Sequence, residues 1–332
     1  MEGKKAKISV YALLGNSLDY AGYYPPARQT PSECLERLAQ FQSEGKNPFL
    51  FSKWVLPLKE ALSIRSEMVS PVLRPQRLSL IAISQASANA QTFREWESVV
   101  ASEEREVQSW NARMGGNSFP LTIAALETVV PGPILAQGST GDMFSRWFVH
   151  HTYSRIPMSL ELDLRPGPQQ GTEVILSRLA SLLLKQPEKP PQEDQNERTL
   201  GLKVRLSGQE PIALSDLTTV IGFCAEHKLR FKATQGLHAS MSHGADIGFI
   251  NLLACLAFTF TLGPSTFSSR ERQSCLAEPR KDGFVFGSRS LRWGTYEVDA
   301  TQIEQARRIH HASFGSCSLD EPDTSLTDFL GS

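Results

Sequence analysis

Between Gly201 and His238 the chain reads as strand, helix, strand, and that unit constrains the fold more than any other stretch. Gly201-Leu-Lys-Val-Arg-Leu206 and Arg230-Phe-Lys-Ala-Thr-Gln-Gly-Leu-His238 are short, strand-like runs with cations at alternate positions. An amphipathic helical stretch, Leu214 to Lys228, lies between them. Two strands joined through a helix run parallel, with a right-handed crossover. Side chains alternate faces along a strand, so Lys203 and Arg205 share a face of one strand and Lys232 and Thr234 share a face of the next. Lysine is rare inside a buried strand unless something there needs it.

The same alternation runs along most of the chain. Ile8 to Leu14 reads as a first strand buried on both faces. Thr30-Pro-Ser-Glu33 opens a helix to about Ser43, with Thr30 or Ser32 as its cap. Strands follow at Pro48 to Leu56 and Arg77 to Ser84, each trailed by a helical stretch (Leu58 to Glu67, Ala90 to Glu106). Leu121 to Val130 holds a fourth strand and Met158 to Leu164 a fifth, with an amphipathic helix over Thr172 to Lys185. Lys203 and Lys232 then fall on the sixth and seventh strands. Ile247 to Leu262, the most apolar run, is shorter than the roughly 20 residues of a membrane span and reads as a buried helix.

Seven or eight such alternations in 332 residues predict a (β/α)8 barrel of TIM type, as one domain over 1–332. The rival is a doubly wound open sheet, but neither G-x-G-x-x-G nor a P-loop is present. The segment from Lys185 to Arg198, rich in Pro, Glu, Gln and Asn, reads as a flexible insertion at about 185–198. A formal net charge of −1 gives no basic field, which argues against a nucleic-acid partner. Five scattered cysteines without a Cys-x-x-Cys pair fit a reducing, cytoplasmic setting.

In a barrel, chemistry gathers at the carboxyl ends of the strands. That rule selects Glu127 from the fourth strand, and Glu161 with Asp163 from the fifth. Lys203 and Arg205 come from the sixth, and Lys232, Thr234 and His238 from the seventh. Asp19 stands in a loop after the first strand, where it would orient a lysine or bind a substrate hydroxyl. Near the C-terminus, Phe314-Gly-Ser-Cys-Ser318 offers Ser316 and backbone amides suited to an anion. Clustered cations depress a lysine pKa toward what a nucleophilic amine needs. Lys232 is therefore expected to form a Schiff base or to act as an acid/base, with Lys203 as its electrostatic modulator, Glu127 and Glu161 as proton carriers and His238 as acid/base or substrate donor. Arg205 would clamp a carboxylate or phosphate.

Each of these residues has a structural reading beside the functional one. The lysines and glutamates would pair as ion pairs inside the barrel, and Arg205 would be a surface arginine near its strand end. Lys53 would either point inward from the second strand or, more simply, face solvent at a strand end, and Cys317 has no evident base partner. His150-His151 and His310-His311 read as solvated or capping pairs. In an alternative chemistry without the Schiff base, His238, His243 and Glu161, with Glu127, would hold a divalent metal. Otherwise no cofactor is expected. A third possibility is a non-catalytic barrel binding a metabolite or a protein. The expected partner is a small anionic carbonyl compound, with no membrane role; an oligomer is compatible with the sequence.

Lys203 and Lys232 in these contexts are similar to the lysines of class I aldolases of the deoxyribose-phosphate type, over these two short segments. That resemblance implies a lyase or isomerase acting through an active-site lysine. More broadly, Asp19-Tyr-Ala-Gly with Pro25-Pro-Ala27, Lys203-x-Arg205, Phe231-Lys-Ala-Thr-x-Gly-Leu-His238, Gly248-Phe-x-Asn251 and Phe314-Gly-Ser-Cys-Ser318 resemble a family of uncharacterised bacterial proteins of about this length. Its members have Gly-Gly after Lys-x-Arg and a second histidine after His238. Here Ser207-Gly208 and Ala239 stand in those places.

Overall fold

The computed structural model describes residues 7–69, 78–114, 121–135, 139–162, 172–183, 198–207 and 212–331. Eight parallel strands close into a barrel: β1 (Leu18–Tyr20), β2 (Phe51–Pro57), β3 (Ser79–Ile83), β4 (Thr122–Val130), β5 (Met158–Leu162), β6 (Leu200–Arg205), β7 (Arg230–Thr234) and β11 (Ser313–Ser316). Each pairs with its neighbour in chain order, and β11 closes the ring between β7 and β1. The (β/α)8 expectation is met. A small antiparallel sheet of β8 (Phe284–Phe286), β9 (Ser290–Trp293) and β10 (Tyr296–Asp299) lies outside the barrel and was not foreseen.

Local chemistry explains most elements. The helix Pro31–Glu44 starts from Thr30, whose hydroxyl accepts from the Glu33 amide while the Glu33 carboxylate receives the Thr30 amide. That reciprocal pair satisfies two donors an unfinished helix end would leave bare. The helix Phe249–Leu262 is buried over most of its length, as its unbroken apolar run requires. It lies against the barrel, with Phe249 stacked on Phe314 of β11 at 5.1 Å between ring centres.

The first element corrects the sequence reading. Ile8–Leu14 is a helix, and the first barrel strand is Leu18–Tyr20. Ile8 and Tyr11, each 48% exposed, are three residues apart, while Ser9, Val10, Ala12, Leu13 and Leu14 are buried. That is helical spacing, which a run of only seven mostly apolar residues conceals. Asp19 consequently sits on a barrel strand rather than in the loop beyond it. Asp163, Gly208 and all of the 185–198 segment except Arg198 lie outside the described residues.

Candidate active site

The inward faces of β4 to β7 carry four of the expected charged residues to one place. Strand register sets Glu161 beside Lys203, and Lys203 beside Lys232. Glu127 sits between the two lysines, 2.7 Å from Lys203 Nζ and 2.5 Å from Lys232 Nζ. Lys232 also meets Asp19, at 2.8 Å, and Lys203 meets Glu161, at 3.2 Å. Asp19 takes a hydrogen bond from the Ser313 hydroxyl at 2.8 Å. Asp19, Glu127, Lys203 and Lys232 are all buried.

Burial alone would raise the Glu127 pKa, but the attraction of Lys203 and Lys232 outweighs it and brings the carboxyl down to about 2. Burial likewise works against the Lys232 ammonium. Asp19 and Glu127 overcome it, and the pKa of Lys232 ends above its ordinary value. Glu127 is thus a fixed anion and Lys232 a fixed cation near neutral pH.

Glu127, Glu161, Lys203 and Lys232 form one wall of a cavity of about 480 Å³ at the carboxyl ends of the strands. Thr234, His238 and Ser316 also line it, as do Ala21, Tyr24, Val55 and Ile83 on the facing, largely apolar wall. Arg205 stands at the mouth, 47% exposed, with its guanidinium forked onto both oxygens of Glu161. His238 Nδ1 lies 2.5 Å from Glu321 and 3.5 Å from the Ser316 hydroxyl, so it belongs to the rim.

Several placements differ from the sequence reading. His243 is exposed, bridges by backbone to Asp246 and does not line the cavity. The alternative ligand set of His238, His243 and Glu161 is therefore not assembled. Among the described residues no group of three or more His, Cys, Asp or Glu side chains is arranged to hold a metal ion. His310 is not a solvated histidine. It is buried against Phe260, 3.6 Å between ring centres, and its Nδ1 meets the Leu229 carbonyl. Burial brings its pKa down to about 4. Lys53 points inward at the opposite end of the barrel rather than into solvent. Cys317 lines the cavity, but burial pushes its thiol up, away from a reactive thiolate.

Tyr24 is the residue that sequence reasoning passed over. Its hydroxyl is buried without a hydrogen-bond partner, and burial together with the charge of Glu127 raises its pKa, so it stays a donor. The one available signal was its place in Asp19-Tyr-Ala-Gly-Tyr-Tyr-Pro-Pro26, five residues beyond an inward aspartate.

No family model matches the chain, and no curated protein matches it. Two crystal structures from Toxoplasma gondii ME49, both described as candidate deoxyribose-phosphate aldolases, do match. The 1.37 Å apo structure is 12% identical, with a TM-score of 0.38, and the match covers 98% of each chain. The 1.8 Å structure is 11% identical, with a TM-score of 0.37, over 97% of this chain and 94% of that one. Superposition this loose carries no argument about chemistry, and the barrel assignment rests on the strand pairing itself.

Proposed function

We propose that this barrel is a lyase or isomerase that forms a Schiff base between an active-site lysine and a small carbonyl substrate. The observation that carries the reading is a pair of buried lysines sharing one buried carboxylate, Glu127, on the wall of a cavity at the carboxyl ends of the strands. Two ammonium groups brought this close are costly to keep for stability alone, and such clusters favour function.

We assign the roles differently from the first expectation. Lys232 is held between two carboxylates and its pKa is raised, which keeps it cationic and unsuited to attack. Lys203 also meets two carboxylates, Glu127 and Glu161, but Glu161 is partly exposed whereas both partners of Lys232 are buried, and we take Lys203 as the nucleophile. Glu127, with its pKa near 2, is too weak a base to carry protons, so that task falls to Glu161.

In the proposed reaction Lys203 Nζ passes a proton to Glu161 and attacks the carbonyl carbon. Glu161 returns that proton to the carbinolamine oxygen, which with a second proton from Nζ leaves as water, giving an iminium and freeing the carboxylate. When the bond between the carbons α and β to the iminium breaks, its electron pair moves to the iminium as an enamine, and the β-hydroxyl gives its proton to Glu161 as it becomes the carbonyl of the leaving fragment. Protonation of the enamine carbon and hydrolysis return the amine. Tyr24 donates to the substrate oxygen. Thr234, Ser316 and His238 supply polar contacts at the rim, and Arg205 meets an anionic group on the substrate while orienting Glu161. The apolar wall of Ala21, Val55 and Ile83 suits a short carbon chain.

Intact-protein mass after incubation with aldehydes, ketones and sugar phosphates plus borohydride tests this. A substrate-dependent adduct of one equivalent is expected. Turnover of one of these compounds with no adduct trapped would remove the Schiff base from the account.

A further inference from the structure

At the amino-terminal end of the barrel lies a second cavity, of about 410 Å³. That end of a (β/α)8 barrel ordinarily serves stability. Here it gathers cations. Lys53 of β2 lines it, in register with Asp19, and so does Arg307 from the helix Ala300–His310.

Neither cation is neutralised by an ion pair with a described residue. Lys53 Nζ donates to the Ser52 hydroxyl at 3.0 Å, a neutral partner. Burial lowers its pKa. Asp19 offsets part of that, while Lys232, Arg230 and Arg307 add repulsion. Arg307 directs its terminal nitrogens to the carbonyls of Ala12, Gly15 and Asn16, and its Nε is buried without a partner. Burial brings the Arg307 pKa down to about 10. Glu304 is the acidic side chain on this cavity's wall, and it is exposed. Tying down the end of the helix Ile8–Leu14 explains the terminal nitrogens of Arg307, but it explains neither its Nε nor Lys53.

A half-buried cation without a paired counter-charge is costly, and an oxyanion between these two side chains would remove that cost. Arginine and lysine together are well suited to such a group. We infer that the amino-terminal cavity is a binding site for a phosphate-sized oxyanion, held between Lys53 and Arg307. The site lies across Asp19 from Lys232 and does not depend on the reaction proposed for the other end.

The test is calorimetric titration of the full chain with inorganic phosphate, against sodium chloride at matched ionic strength. Arg205→Ala provides the background, so that phosphate at the carboxyl-end mouth does not contribute. One saturable equivalent of phosphate is expected in Arg205→Ala, and its affinity should fall by at least about tenfold when Lys53→Met or Lys53→Gln is added. Thermal unfolding without phosphate confirms that each variant is folded. Saturable binding that survives both Lys53 substitutions, or none in Arg205→Ala, would overturn the site.

Discussion

The space between the barrel and its helices and the space inside the barrel are built on opposite principles. The outer shell is one large apolar cluster, with Trp96, Trp110, Phe144, Phe148, Leu217 and Phe258 among its buried members. Inside, the buried apolar cluster shrinks to Val55, Ile81 and Ala125, with Ala21, Tyr24 and Ile83 beside it. The rest of the interior holds Asp19, Glu127, Lys203 and Lys232 in mutual contact. Burying apolar surface stabilises the fold without regard to partners. Burying ions stabilises nothing unless every charge is matched. The shell therefore accounts for the fold, and the interior has to be explained by what it does.

The largest expected effect lies inside. Glu127→Gln leaves Lys203 without its closest carboxylate and Lys232 with Asp19 alone, and should lower unfolding free energy by about 3–5 kcal/mol at pH 7. Because the folded pKa of Glu127 lies below the unfolded value, its stabilisation is complete above about pH 4.5 and is lost as pH falls toward 2. Urea unfolding should show wild type and Glu127→Gln converging over that interval. A gap that stays constant would break the comparison. Leu217→Ala in the shell should cost about 2–5 kcal/mol by leaving a cavity, and its gap from wild type should be flat across the same pH range.

Two smaller effects sharpen the contrast. Lys53→Met removes a cation that lacks an ion pair, so in phosphate-free buffer it should leave stability within about 1 kcal/mol of wild type, or raise it. A loss of several kcal/mol would show that Lys53 has a structural partner. Arg205→Ala at the exposed mouth should change stability by less than about 1 kcal/mol, as surface ion pairs do. Its larger consequence should be a raised KM for an anionic substrate.

What was legible in the sequence follows the same division. Helical period, the Thr30 to Glu33 cap and the apolar strands of the shell could be read because burial leaves a pattern in neighbouring residues. Lys203 and Lys232 were legible too, since a cation is conspicuous inside a strand. Their partners across the ring were harder. Asp19 was displaced by the misread element at Ile8–Leu14, and Tyr24 left only its place five residues beyond Asp19, which does not tell that it faces Glu127. Burial of His310 depends on Phe260, 50 residues earlier in the chain. The outer sheet did leave a signal: Gly294, with its positive φ, sits in the turn between the strands Ser290–Trp293 and Tyr296–Asp299.

The most direct test of the central claim is to locate the borohydride-reduced adduct by peptide mass mapping. The arrangement of Asp19 and Glu127 around Lys232 predicts that the modified residue is Lys203, and that Lys203→Ala abolishes the adduct. An adduct on Lys232, retained in Lys203→Ala, would contradict the account.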